Sequence, residues 1–199
     1  MKRFLVFFAA MFCVIFTYAG DSKSPITVYI DAGHGGKDAG AVSATGHKES
    51  VLCLELAKAL AEKAKERDIR VVMIRTKDEY VQLQDRSGKT KTANGASYFI
   101  SIHLESSENK KESGPTIIGF NKPGIDGSVR LFRNMMYQFS KLGNVRQDFK
   151  PLVVLRESSI PAVVVSPGFI SNEADLAKLQ TKDYRTAVAN AILDAVIMP

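Results

Sequence analysis

The chain lacks any apolar stretch approaching the roughly 20 residues that a membrane-crossing helix requires. Its leading apolar run extends only from Phe4 to Phe16, is preceded by Lys2 and Arg3, and is followed by small residues at Ala19 and Gly20. That order is the pattern of a cleavable secretory signal. It sets the expectation of a signal peptide over residues 1–20, cut after Ala19 or Gly20, and an exported domain over 21–199 with no stable membrane span. Cysteine is also scarce. Removal of the signal takes Cys13 and leaves Cys53 alone, which excludes an internal disulfide in the exported form. Ala10, Met11 and Phe12 ahead of Cys13 make a poor lipidation site. Lysine and arginine are nowhere clustered with aromatics, so no nucleic-acid-binding surface is indicated. The formal charge of +6 falls to +4 without Lys2 and Arg3, with 25 basic residues facing 21 acidic ones, and reads as a solvated surface. Repeats, linkers and low-complexity tracts are absent too. With 45% hydrophobic residues in 199 positions, one domain with one good core is expected.

What is present alternates. Ile26 to Asp31 is a β-rich run that ends in a glycine-rich turn. From Glu49 to about Arg67, Leu52, Leu56, Leu60 and Ala64 recur every four residues while Glu55, Lys58, Glu62 and Lys65 occupy other faces, the pattern of an amphipathic helix. Cys53 falls on its apolar side and reads as a small buried hydrophobe. Arg70 to Arg75 suits a second strand, Gln82 to Asn94 a second helix and Tyr98 to His103 a third strand. Further on, Thr116–Phe120, Leu152–Leu155 and Ala162–Val165 are strand candidates, and Val129–Leu142 and Asp183–Val196 are helix candidates. Strand, helix, strand, helix, strand argues for an α/β domain: a twisted, mainly parallel sheet with helices on both faces.

In parallel sheets ligands bind beyond the carboxyl ends of the strands. Two of the three histidines lie there: His34 in Asp31-Ala32-Gly33-His34-Gly35-Gly36, and His103 at the end of Ser101-Ile102-His103. Neutral imidazoles are good zinc donors, and a carboxylate such as Glu49 would complete a three-ligand set with one position left open for water. Each residue alone also has a plainer reading, His34 as a loop residue and Glu49 as a complement to the positive end of its helix. The glycine-rich loop does not fit a nucleotide site. It lacks the third glycine of a dinucleotide fingerprint, and Lys37 is followed by Asp38 rather than Ser or Thr.

Taken together, these segments resemble the zinc-dependent N-acetylmuramoyl-L-alanine amidases, which separate stem peptides from glycan in bacterial peptidoglycan. The resemblance rests on Val28 to Ala41 around His34, on Lys48-Glu49, on Phe99 to His103, and on Val154-Leu155-Arg156 followed by Pro161 to Val165 and Gly168 to Asn172. Ala32 stands where the family usually has proline. The resemblance implies that His34, Glu49 and His103 bind Zn2+, that the substrate is peptidoglycan or a muropeptide, and that the protein works in the periplasm or cell wall of a bacterium. It names no activating partner.

Two departures bear on the chemistry. The family has a glutamate, taken as general base, two residues before the Gly-Phe pair, and here that position is Ser166. Loss of a positioned acid–base group typically slows a reaction about 10²- to 10⁴-fold. The second departure is Leu104-Glu105 after His103, where the family commonly has Ala-Asn. Glu105 is a substitute base if it shares the face of His103, and otherwise a solvated loop carboxylate. Two readings follow: a hydrolase that cleaves the bond between the muramic lactyl group and L-alanine, or an impaired relative that binds peptidoglycan or regulates other wall enzymes. His47 reads as an exposed loop residue, Arg156 as an ion-pair or substrate-contact residue, and Phe169 as core.

Overall fold

The computed structural model describes residues 25–199, so the expected signal segment and Cys13 lie outside the described residues. Strand β1 (Thr27–Ala32) lies between β2 (Arg70–Met73) and β3 (Ser97–Ile102), and β3 pairs with β6 (Ala162–Ser166), all of them parallel. Beyond β6 come β4 (Thr116–Gly119), antiparallel to it, and β5 (Arg146–Phe149), parallel to β4. The order across the sheet is β2-β1-β3-β6-β4-β5. This is the α/β, mainly parallel architecture that the alternation of elements implies. Because β4 opposes β3, the polar segment from His103 to Thr116 leaves and re-enters the sheet at the same end, with Thr116 opposite Ser166.

The two faces are covered unequally. Val28, Ile30, Ile100, Ile102, Val163 and Val165 point toward α1 (Glu49–Lys65), α3 (Ser128–Phe139) and α6 (Lys182–Ile197), forming the larger core. Central strands buried on both sides have little need of polar residues, which is why they read as apolar runs. In α1 the four-residue spacing holds: Leu52, Leu56, Leu60 and Ala64 are buried, with Cys53 and Ala57 beside them. Each buried leucine contributes about 1.5–3 kcal/mol. The other face carries Tyr29, Phe99, Ala162 and Val164 under the short α4 (Val153–Arg156), against which the short α2 (Leu83–Gly88) packs. That thinner cover leaves room for a cleft.

Several local expectations need correction. Leu152–Leu155 does not form a strand: Leu152 is extended, its carbonyl accepts from the amides of Leu155 and Arg156, and α4 begins. A four-residue apolar run is too short for its period to separate strand from helix, and Val154 and Leu155 are buried either way. The helix expected over 82–94 stops at Gly88, where glycine weakens it, and continues as a 3-10 turn over Lys89–Thr92. Strand β5 and the short α5 (Glu173–Leu179) carry no periodic signal and were not anticipated.

Candidate metal centre

Glu49 opens α1, yet its carboxylate does not complement that helix end. Oε2 accepts the amide of Ala41 and Oε1 the amide of Leu104, at 3.0 Å each. Oε1 also lies 3.1 Å from His34 Nε2 and 3.1 Å from His103 Nδ1. Three stretches that are distant in sequence thus converge. One donor atom from each of His34, Glu49 and His103 falls within 4.8 Å of the others, and the imidazoles meet edge to face with centroids 5.0 Å apart.

Each side chain is aimed by its surroundings. His34 follows β1 in a left-handed conformation (φ 59°), continued by Gly35 and Gly36 at positive φ. Its Nδ1 lies 2.9 Å from the Asp38 carboxylate, which turns Nε2 toward Glu49. His103 directly follows β3, where its amide donates to Val165 O at 3.0 Å. The hydrogen bond to Glu49 raises the His34 pKa above its ordinary value despite partial burial. Burial alone would push the Glu49 carboxyl up, but hydrogen bonds from His103, His34 and the amides of Leu104 and Ala41 hold it well below the usual carboxylate range. The donor set is therefore two imidazoles and one firmly ionised carboxylate. Two imidazoles and an ionised carboxylate with donor atoms this close are the donor types that zinc takes, so the residues present suit such an ion, and they border open space.

That space is a cleft of about 640 Å³ between the three donors and an apolar wall that includes Ile118, Leu152, Val154 and Val164. Ser166 and Glu105 also line it. Ser166 ends β6 beside His103, and its hydroxyl is buried with no hydrogen-bond partner among the described residues. The β3–β6 ladder persists past both strands but slips. Ile102 pairs with Val165 and Glu105 with Phe169, so three steps on one side match four on the other. Such a bulge re-aims side chains beside a site. It also keeps Glu105 paired, on the side of the strand that carries His103.

The remaining candidates lie elsewhere. His47 contacts Thr45 in the outer loop, Arg156 is exposed beside Glu157, and Phe169 is buried. The sequence reading missed two residues next to the donors: Arg75 and Arg86, both almost wholly buried. A cation directly following the apolar run Val71-Val72-Met73-Ile74 was the available signal for Arg75.

The sequence model of the N-acetylmuramoyl-L-alanine amidase family matches residues 28–198. The Bacillus subtilis (strain 168) protein YqiI is 34% identical over 176 residues, covering 85% of this chain and 82% of the relative. The probable cell wall amidase LytH of Staphylococcus epidermidis (strain ATCC 12228) is 32% identical over 180 residues, 88% of this chain but only 60% of LytH. Among solved structures, the N-acetylmuramoyl-L-alanine amidase from Clostridium difficile 630 superposes with a TM-score of 0.80 at 32% identity, covering 87% of this chain and 95% of that one.

Proposed function

The chain belongs to the N-acetylmuramoyl-L-alanine amidase family of peptidoglycan hydrolases, and from that membership we propose that it cleaves the amide between the muramic lactyl group and L-alanine, with zinc held by His34, Glu49 and His103. The observation that carries this reading is the convergence of those three donors within 4.8 Å on one rim of an open cleft. Zinc, when bound, supplies electrophilic polarisation of the scissile carbonyl and an acidified water. The protein's own residues must then orient the amide and move a proton to the departing nitrogen. The apolar wall of Ile118, Leu152 and Val164 lines the cleft beside the donors and offers an apolar surface to the substrate. Of the carboxylates lining the cleft, Asp38 is engaged by His34 and Glu49 by both imidazoles, which leaves Glu105. The substrate is a muropeptide or the intact wall, met in the periplasm or cell wall after export through the segment at 1–20.

A second reading is favoured by one feature. Ser166 offers a neutral hydroxyl, unpartnered among the described residues, where proton transfer calls for a base, so the same cleft serves a protein that binds wall fragments and hydrolyses them slowly or not at all. One experiment separates the readings. Zinc-loaded protein is incubated with muropeptides and released peptide is measured by mass spectrometry, beside Ser166→Glu. Release by the natural chain supports the enzyme, and none at high protein concentration defeats it. A gain of about 10²- to 10⁴-fold in Ser166→Glu marks the natural chain as catalytically weakened, whereas activity without such a gain points to Glu105.

A further inference from the structure

The loop that carries His34 is held in an unfavourable conformation. A left-handed non-glycine residue costs roughly 1–2 kcal/mol, and His34 is followed by two further positive-φ residues. Such a backbone persists only where its surroundings over-determine it. Here the surroundings are two buried guanidiniums. Arg75 donates from Nε to Ala32 O at 2.9 Å and from Nη2 to Gly33 O at 2.8 Å. Arg86 donates to Ala32 O at 2.9 Å and to His34 O at 2.8 Å.

The same two side chains reach the other donors. Arg75 Nη2 also donates to Ser50 O at 2.7 Å, the carbonyl next to Glu49 in the first turn of α1. Arg86 Nη1 donates to Asp31 Oδ1 at 2.8 Å, and Asp31 Oδ2 accepts from Ser101 Oγ at 2.8 Å, two residues before His103 on β3. All three converging stretches are thus tied to this pair. Burial of a cation costs several kcal/mol, and apolar side chains of similar volume stabilise a fold as well or better. Among the described residues, one carboxylate, Asp31, bonds directly to the pair. Seven of their eight hydrogen bonds go to backbone carbonyls, five of these to Ala32, Gly33, His34 and Ser50 in the stretches that carry His34 and Glu49 and two to Lys77 and Val81, which is a geometric task.

We propose that Arg75 and Arg86 are positioning residues that hold His34, Glu49 and His103 in metal-binding geometry before an ion arrives. The inference rests on the metal-site reading above. A divalent ion then enters a formed site and orders no loop. Lysine would retain the charge at either position but not the planar fork that reaches several carbonyls at once.

The test compares the natural chain with Arg86→Lys and Arg75→Lys. Zinc affinity is measured by competition with a chromophoric chelator, donor geometry by the visible d–d absorption of the Co2+ form, and folding by circular dichroism and melting of the metal-free protein. The expected result is a folded variant that binds zinc roughly 10- to 100-fold more weakly, with a Co2+ band of altered shape and intensity. Folded variants that keep both the affinity and the band of the natural chain overturn the inference, because purely structural arginines would lower the melting temperature alone. If the lysine variants do not fold, Ser101→Ala decides. It retains every charge and frees only Asp31 Oδ2, and an altered Co2+ band supports the inference while an unchanged one refutes the part of it that ties His103 to Arg86 through Asp31. A natural chain that takes up no metal refutes the metal-site reading and this inference with it, whereas metal uptake with unchanged variants refutes this inference alone.

Discussion

At the scale of single residues, two glycines set how closely the donors approach. A Cβ on Gly33 would lie 2.5 Å from His103 Cε1, and one on Gly40 would lie 2.7 Å from both Glu49 Oε2 and His34 Cδ2, at a left-handed φ of 66°. Gly33→Ala must therefore push the His103 ring aside, and a loss of zinc affinity of at least tenfold is expected by chelator competition, about 1.4 kcal/mol of binding. Gly40→Ala adds backbone strain of roughly 1–2 kcal/mol to the same displacement, so it should also lower the melting temperature of the metal-free protein. Histidines at strand ends and the acidic start of α1 were legible because the residue types announce their chemistry. The roles of Gly33, Gly40, Arg75 and Arg86 were not. Each depends on which backbone or ring lies opposite, and a linear sequence does not state that. Only the resemblance to a family distinguished Ser166 from any other strand serine.

At the scale of elements, α1 was legible in its four-residue period because the stripe it encodes is the one it buries. Leu60 is fully buried in that stripe. Leu60→Ala should destabilise the fold by 2–5 kcal/mol in urea titration, with zinc affinity of the folded fraction unchanged. Short elements were not legible. The exposed β5 reads Arg-Gln-Asp-Phe with no alternation, and α4 is a single turn whose apolar residues suit a strand equally well. For α5, the asparagine at its start is the usable signal. Asn172 Oδ1 accepts the amide of Asp175 at 3.0 Å, and Asn172→Ala should cost about 1 kcal/mol by the same titration.

At the scale of the whole molecule, alternation of strand and helix was enough to give the layered sheet, since parallel strands need covered crossovers. The reversed direction of β4 was hidden because nothing in Thr116 to Gly119 encodes polarity. The sheet is braced against α6 by Tyr184, whose hydroxyl donates to Pro167 O at 2.7 Å. Burial, aided by the charge of Asp175, pushes that phenol up to about 12 from 10.0. The folded chain therefore holds this proton where the unfolded chain has lost it. The resulting stability is complete below pH 10 and drains away as pH climbs toward 12. Melting curves of the natural chain and Tyr184→Phe across that window should converge as pH rises, and a constant gap between them would rule this out. The reversal of β4 has its own consequence. Since the chain between His103 and Thr116 starts and finishes at the rim that bears the donors, it can be lengthened without rerouting any strand. Each doubling of its length adds only about 0.6 kcal/mol of closure entropy. An inserted hairpin or helix would therefore start from the same rim as the donors and leave the strand order of the sheet untouched.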